Sequence, residues 1–406
     1  MIGRHNLCRS DLAVILGAVG FAARGTQKYS DLMGLPRYIN ASAPHGRTHR
    51  VPSPASDPPL ESKNSELNVT PFEGDAASWD ALLTSPDATF CHRYGWKAVF
   101  EEALGHETFW LVARNQSQTP HGILPLTRVK SRLFGDYLVS MPFLNYGGPV
   151  GTAAAQRALA AEAQNIGREL GVDLLELRTR HVTEDSTLSV NARKLTVVKQ
   201  LPADPEELWE KGIKAKVRSQ IRRPMKEGME LRFGPEQLEA FYDVFSTTMR
   251  DLGTPVLPQR FFEVIRSEFG SDVIFIAVYL GDEPVAAACG LGWNDEFEIT
   301  WAGSSREHAR KAPNMLLYWG LMEECVRRGF TTFNFGRCSP DSGTHRFKKQ
   351  WGSDDVPLPW LQWSPSGMVA IPNPDSAKFR LATRAWQRLP IGVANMIGPR
   401  ISRSLP

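Results

Sequence analysis

The sequence predicts a mixed α/β fold in which one domain plan occurs twice, each time on a mixed, largely antiparallel sheet. Two observations carry this expectation. From residue 65 onward, helix-like and strand-like runs follow the same order in two successive stretches. Each stretch also centres on three apolar strand runs joined by short turns, followed by a helix and a further strand.

The first copy opens with the strand "LNVTPF", and helical spacing follows at Ser78–Leu83 and Trp96–Leu104. The runs "TFWLVARN", "GILPLTRVKS" and "DYLVSMPFL" are separated by Pro, His or Gly, as antiparallel neighbours require. "NYGGPVG" leads into a helix over Ala153–Leu170 that Gly171 caps, and "DLLELRTR" and "KLTVVKQL" return as strands. The second copy starts with a basic helical stretch and the strand "ELRFG", then helices over Pro235–Leu252 and Pro258–Phe269. Its meander is "DVIFIAVYL", "PVAAACGLGW" and "EFEITWAG", turned by "GDE" and "ND". The next helix, Pro313–Arg328, has Pro in its first turn, Arg in its last and Gly329 beyond. "TTFNF" and "DVPLPWLQW" are the closing strands. These limits place a leader at 1–64, the first copy at 65–202, the second at 203–371 and a basic amphipathic tail at 372–406.

Of the 406 residues, 42% are apolar and 22% charged, a globular balance that excludes wholesale disorder. The net charge of +3 conceals a division: residues 1–64 carry +4 and 372–406 carry +5, leaving the middle at −6. Global charge therefore gives no case for nucleic-acid binding, and any anion site must be local. The five cysteines, Cys8, Cys91, Cys289, Cys325 and Cys338, include no CxxC pair or Cys/His ligand spacing. No zinc or disulfide framework is expected, Cys289 and Cys325 read as packing residues, and the usage suits a reducing compartment. In the leader, "RSDLAVILGAVGFAARG" resembles a secretory signal, but Asp11 directly against the apolar run is unusual for one. A poorly ordered leader, or a start at Met33, is the preferred reading over cleavage near Ala22 or Ala23. In the tail, Phe379, Ala382, Ala385, Trp386 and Leu389 share a helical face among Lys378, Arg380, Arg384 and Arg388. Packing of Trp386 is the first reading and peripheral membrane contact through 376–399 the second.

Three constellations carry chemistry. In "WAGSSREHARKAPNMLLYWG", Arg306, Arg310 and Lys311 precede a helix whose first turn holds Asn314, and free N–H groups at such a terminus favour phosphate. In "IKAKVRSQIRRPMKEGM", Ile213, Val217, Ile221 and Met225 form an apolar stripe beside the cations Lys214, Arg218, Arg222 and Lys226. Pro224 is expected to stop or kink that helix near Arg223. In "FNFGRCSPDSGTHRFKKQWG", a strand ends at Arg337, and a short helix puts Phe347 and Trp351 toward the core with Lys348 beside them. Lys348 is the candidate for stabilising an oxyanion and His345 the candidate base, with a plain surface histidine as its other reading. Arg218, Arg222, Tyr146, Trp301, Arg337 and Phe347 are the substrate-binding candidates. No metal ligand set is expected.

"SQIRRPMKEGMELRFG", the 299–337 stretch and "HRFKKQWG" together resemble the FemAB family, in the branch associated with exosortase/PEP-CTERM exopolysaccharide loci. The resemblance spans about residues 66–400. It implies two domains similar to GNAT N-acyltransferases and transfer of an aminoacyl or acyl group to an amine of a peptidoglycan, exopolysaccharide or other cell-envelope precursor. It implies no permanently bound cofactor, with aminoacyl-tRNA (through its 3′ end) or acyl-CoA as donor, and the lysine of the family's "FK" pattern carries over to Lys348. "ARKAPN" stands where coenzyme-A-binding relatives have R/Q-x-x-G-x-G/A, which leaves the donor open. Both donors are cytosolic, so a cytoplasmic location, or the inner face of the membrane, is expected. A non-catalytic scaffold for exopolysaccharide or lipid-linked precursors is the alternative. The first copy, whose "NYGGPVGTAAAQ" junction has glycines but no Lys or Arg, is expected to be a degenerate one that helps bind acceptor through Tyr146, with the chemistry in the second.

Overall fold

The computed structural model describes residues 67–132, 134–182, 188–367 and 377–405. The leader over 1–64, its signal-like run and Cys8 lie outside the described residues.

The first copy comprises β1 (Asn68–Pro71), α1 (Ala76–Asp80), α2 (Trp96–Ala98, widening into a π turn over Val99–Ala103), β2 (Glu107–Arg114), β3 (Pro120–Ser131), β4 (Gly135–Val139), β5 (Val150–Gly151), α3 (Ala153–Leu170), β6 (Leu174–Leu177) and β7 (Ser189–Gln200). After helical turns at Pro205–Glu207 and Leu208–Gly212 come α4 (Ala215–Lys226), β8 (Met229–Phe233), α5 (Leu238–Leu252) and α6 (Gln259–Phe269). The second meander is β9 (Val273–Leu280), β10 (Glu283–Trp293) and β11 (Glu296–Ser304). It is followed by α7 (Pro313–Arg327), β12 (Thr332–Cys338), α8 (Gly343–Lys349) and β13 (Asp354–Trp363). The tail forms α9 (Ala377–Gln387) and α10 (Ile391–Ser402).

Local chemistry explains the boundaries. Thr152 caps α3 by accepting the Ala155 amide, and Gly171 ends it in the left-handed region at φ 66°. The strand expected over "DYLVSMPFL" stops at Val139, because Met141 and Phe143 adopt φ of 55° and 69° and turn the chain away from the sheet. Pro224 does not stop α4: it lies in the last turn, where its fixed φ fits the helix, and the helix runs on to Lys226. Pro224 is buried beside Val217 and Ile221, whereas Met225 is exposed, so the stripe drifts off the expected face in the last turn. In the tail, Pro390 follows the end of α9 and begins a second helix, α10, at its N-cap.

All thirteen strands of the described residues join one sheet, in the order β1-β2-β3-β4-β6-β13-β7-β12-β11-β10-β9-β8, with β5 off the path on β3. Read from either end, the order is the same once the copies are exchanged. Only β4–β6 and β11–β12 pair in parallel, one pair per copy. The terminal strands change places: β13 lies against β6 of the first copy, and β7 lies against β12 of the second. The fold is therefore two GNAT-like α/β units fused through a strand exchange.

The packing is shared as well. One core cluster unites Trp79, Trp96, Phe100 and Trp110 of the first copy with Phe241, Phe261, Phe262 and Trp301 of the second. The remaining surfaces of the sheet are covered separately, by α3 in the first copy and by α4 and α7 in the second. Cys289 and Cys325 are fully buried packing residues, as expected. Trp96 stacks on Phe100 and meets Phe261 and Phe269 across the junction. Trp96→Ala should cost about 3–5 kcal/mol and lower the stability of both copies together. Denaturant unfolding followed by fluorescence and by circular dichroism should show one shifted transition. Two transitions, with only the first shifted, would mean that the shared core does not couple the copies.

Candidate active site

The parallel pair β11–β12 holds together only from Glu296↔Thr332 to Glu298↔Asn334, after which the strands part. Two irregularities open the split. β11 slips register against β10 between Cys289 and Gly290, leaving Thr300 unmatched, and β12 slips against β7 between Asn334 and Arg337. Gly336 sits in the second at φ 72°, and a Cβ there would lie 2.8 Å from the Ile299 carbonyl oxygen, so only glycine fits. Asn334 fixes the opening from within. Its Oδ1 accepts from Thr196 Oγ1 at 2.5 Å and from the Gly336 amide at 2.9 Å. Its Nδ2 donates to Glu296 Oε1 at 2.8 Å and to the Tyr146 hydroxyl at 3.2 Å.

Glu298 lies fully buried at this point. Its Oε1 accepts from Asn145 Nδ2 at 2.7 Å, while Oε2 has no hydrogen-bond partner among the described residues. Burial first, and then the charge of Glu296, push its carboxyl up to about 7. Lys348 is buried too, donating from Nζ to the carbonyls of Gly336 at 2.7 Å and Arg337 at 3.0 Å. Desolvation pulls it down to about 8, against the attraction of Cys338 and Glu298. A carboxyl with a free oxygen and an amine, both titrating near neutrality, can accept and return protons there. Sequence reasoning missed Glu298, Asn334 and Asn145. The available signal was Glu298 in a strand whose two faces both had helices to cover them.

The structure spreads the sequence-derived candidates over several places. His345 is held at both ring nitrogens: Nδ1 accepts the Asp341 amide at 3.0 Å, and Nε2 faces Asp355 at 3.0 and 3.1 Å. It clips the start of α8 to β13 and has no free lone pair for a base. Arg218 donates to the carbonyls of Trp209, Glu210 and Ile213 and caps the turn before α4. Arg222 stacks on Trp209 at 5.0 Å. Trp301 packs edge-on against Phe261 and Phe262, and Phe347 against Tyr318; both are packing residues. Tyr146 is buried at the junction beneath Arg180, which pairs with Glu296 at 3.1 Å, and it also lines a pocket together with His92, Gly148, Arg178 and Arg180. Arg337 is exposed at the mouth of the split and stacks on Trp360 at 4.9 Å, a ring Arg178 also approaches at 4.4 Å.

At the β11–α7 junction, Asn314 Nδ2 donates to Ser304 Oγ at 2.9 Å and ties the helix start to the strand end. Ala312 begins α7 at φ 57° and supplies no side-chain cap. Two of the three cations have partners: Arg306 reaches Asp251, its Nη2 bonding the carbonyl at 2.6 Å, and Lys311 lies 3.6 Å from Glu227. Arg310 is exposed.

The acetyltransferase (GNAT) domain family matches residues 214–349, which enclose β11, β12, Glu298 and Lys348. No curated protein sequence matches the chain. Among solved structures, FemX is similar at a TM-score of 0.55 and 14% identity, over 73% of this chain and 97% of that one. The C-terminal DUF2156 domain of a protein designated a lysylphosphatidylglycerol synthetase, from Agrobacterium fabrum, is similar at a TM-score of 0.50 and 12% identity, over 72% and 92%. A tandem GNAT protein from the clavulanic acid biosynthesis pathway aligns at a TM-score of 0.46 and 14% identity, over 75% and 100%. Residues 214–349 thus match a GNAT-type acetyltransferase domain, which supports an enzyme of the acyltransferase type, and the chain shares its fold with FemX.

The buried carboxyl has a consequence for stability. The folded state holds the Glu298 proton more tightly than the unfolded chain, whose carboxyl titrates near 4.5. Its contribution is therefore greatest below pH 4.5 and is lost as pH rises toward 7. Relative to wild type, Glu298→Gln should gain stability across that interval. Denaturant midpoints of both proteins at pH 5 and pH 7 measure it. A constant difference between them would place the Glu298 titration outside the window.

Proposed function

We propose that the chain transfers an aminoacyl or acyl group, from aminoacyl-tRNA or acyl-CoA, to an amine of a cell-envelope or exopolysaccharide precursor. The observation that carries this reading is the split of β11 from β12 over Glu298 and Lys348, inside the stretch that matches a GNAT acetyltransferase domain. The GNAT match favours acyl-CoA as a co-substrate, while "ARKAPN" at the helix start keeps the aminoacyl ester in consideration.

The reaction is one substitution at a carbonyl. The amine nitrogen attacks the acyl carbon, a C–N bond forms, and the C–S bond of a thioester or the C–O bond of an ester breaks. Glu298 Oε2 takes the proton that the amine gives up and returns it to the leaving thiolate or alkoxide. Lys348 spends two of its three N–H donors on the Gly336 and Arg337 carbonyls and keeps the third for the oxygen that gains charge. Catalysis then consists of positioning, proton removal and charge stabilisation. The cations of the β11–α7 junction face the donor's phosphates, and Arg310 has the greatest freedom to do so.

Mass spectrometry of products, after incubation with panels of acyl-CoA, aminoacyl-tRNA and amine acceptors, should show the mass of one transferred group. Lys348→Ala should lower that turnover by about two to three decades with the fold intact. Equilibrium binding of nucleotide sugars or glycans without transfer from any donor would instead support the scaffold reading. Replacing Arg310 and Lys311 together by alanine should weaken donor binding by about tenfold or more at low ionic strength, and less at high ionic strength. Donor titrations at two salt concentrations measure this. Unchanged affinity at low salt would mean that the loop does not meet the donor.

A further inference from the structure

We propose that the α9–α10 hairpin docks the protein on the surface of an anionic lipid bilayer. Residues 377–405 contain Lys378 and five arginines, and no Asp or Glu. The inner faces of the two helices are accounted for: Trp386, Leu389, Ala394 and Ile401 form a small core with Phe134 of the β3–β4 turn packed against it. The outer faces carry a different composition. On α9, Leu381, Arg384 and Arg388 follow at i, i+3 and i+7, and on α10 Met396, Arg400 and Arg403 follow at i, i+4 and i+7. All six are exposed.

The apolar members of these faces stand out on the molecule. Leu381 is 56% exposed, Met396 61% and Ile391 36%, and Leu252, at the end of the α5 helix that the hairpin packs on, is 57% exposed. A helix pair that serves only to cover α5 needs no aliphatic residues on its far side. An interfacial pair does: aliphatic side chains enter the headgroup boundary while neighbouring arginines stay with lipid phosphates. The same pattern separates a bilayer from RNA. A single-stranded nucleic acid is held by cations together with exposed aromatic rings, and among the described side chains of the hairpin Trp386 is buried while the exposed apolar ones are Leu381, Ile391 and Met396.

Placement links this surface to the site. The Asp251 carbonyl accepts from Arg306 Nη2 at 2.6 Å and from Gln387 Nε2 at 3.0 Å, so the hairpin abuts the β11–α7 loop. A substrate carried in or on the bilayer would lie beside that loop. Among the described residues no helix is long and apolar enough to cross a membrane, so the contact is with the surface. The inference rests on this surface and not on the acyl-transfer reading, and binding and turnover are separate measurements.

The test is co-sedimentation of the full chain with vesicles of phosphatidylcholine alone, or with about a third phosphatidylglycerol. The wild type should sediment with the anionic vesicles only, and less so as salt is raised. Leu381→Glu with Met396→Glu, and separately Arg384→Glu with Arg388→Glu, should each reduce the bound fraction by about tenfold or more. These side chains are solvent-exposed, and circular dichroism verifies that the variants fold. The leader is present in every protein, so binding through it would leave the variants equal to wild type and would overturn the proposal. Failure of the wild type to bind anionic vesicles would also overturn it. So would loss of tRNA capture in the arginine pair combined with unchanged vesicle binding in the aliphatic pair.

Discussion

The Asn334 carboxamide is the interaction on which the candidate site depends. It bonds to β7 through Thr196, to its own strand's irregularity through Gly336, to β11 through Glu296 and to the first copy through Tyr146. Every hydrogen-bonding position of the amide is used inside the protein. Loss of any one partner leaves a buried polar group unsatisfied, which costs more than the bond itself contributes. The network therefore sets the strand split in a single geometry, and Gly336 permits that geometry by allowing the backbone to approach Ile299.

The strand exchange makes this split a joint product of both copies. Thr196 reaches Asn334 only because β7 has crossed to the second copy's side, and Asn145 reaches Glu298 from the loop after β4. The loop makes that reach with Met141, Phe143 and Gly147 in positive-φ conformations, a strain that the surrounding contacts hold in place. With one core shared across the junction, neither copy can shift without disturbing the groups that surround Glu298.

The sequence made the elements legible and the site only partly so. Caps, turns and periodicity are local, and they located α3, α7, α8 and both meanders closely. The exchange of β7 with β13 pairs residues far apart in the chain and leaves no local trace. Glu298 was missed because "EFEITWAG" alternates like a strand with a wet face, and only cover on both sides of the sheet buries that glutamate. The opposite error affected the cations. Spacing shows that Arg218, Arg306 and Lys311 are positive, but not that nearby carbonyls or carboxylates already engage them. His345 failed as a base for the same reason, since Asp341 and Asp355 occupy its ring.

Comparing the two splits gives a physical reason for placing the chemistry in the second copy. β4 and β6 part as β11 and β12 do, and each last matched pair holds one carboxylate, on opposite strands: Glu176 on β6 faces Val139, and Glu298 on β11 faces Asn334. In the first copy the carboxylate is closed off: Arg178 Nε donates to Oε1 at 3.0 Å and Gln362 Nε2 to Oε2 at 2.7 Å. Arg178 is spent as well, on the carbonyls of Met141 and Leu144. In the second copy Asn145 meets one carboxylate oxygen and the other is left free, while the nearby cation is a lysine drawn toward neutrality by burial. An arginine in that place would hold its proton throughout the physiological range and fix the carboxylate in its ionised form. A lysine does not, which is the physical basis of the proton transfer proposed at Glu298. The same backbone opening thus holds a closed ion pair in one copy and, in the other, a buried carboxyl with one unpartnered oxygen near a buried lysine.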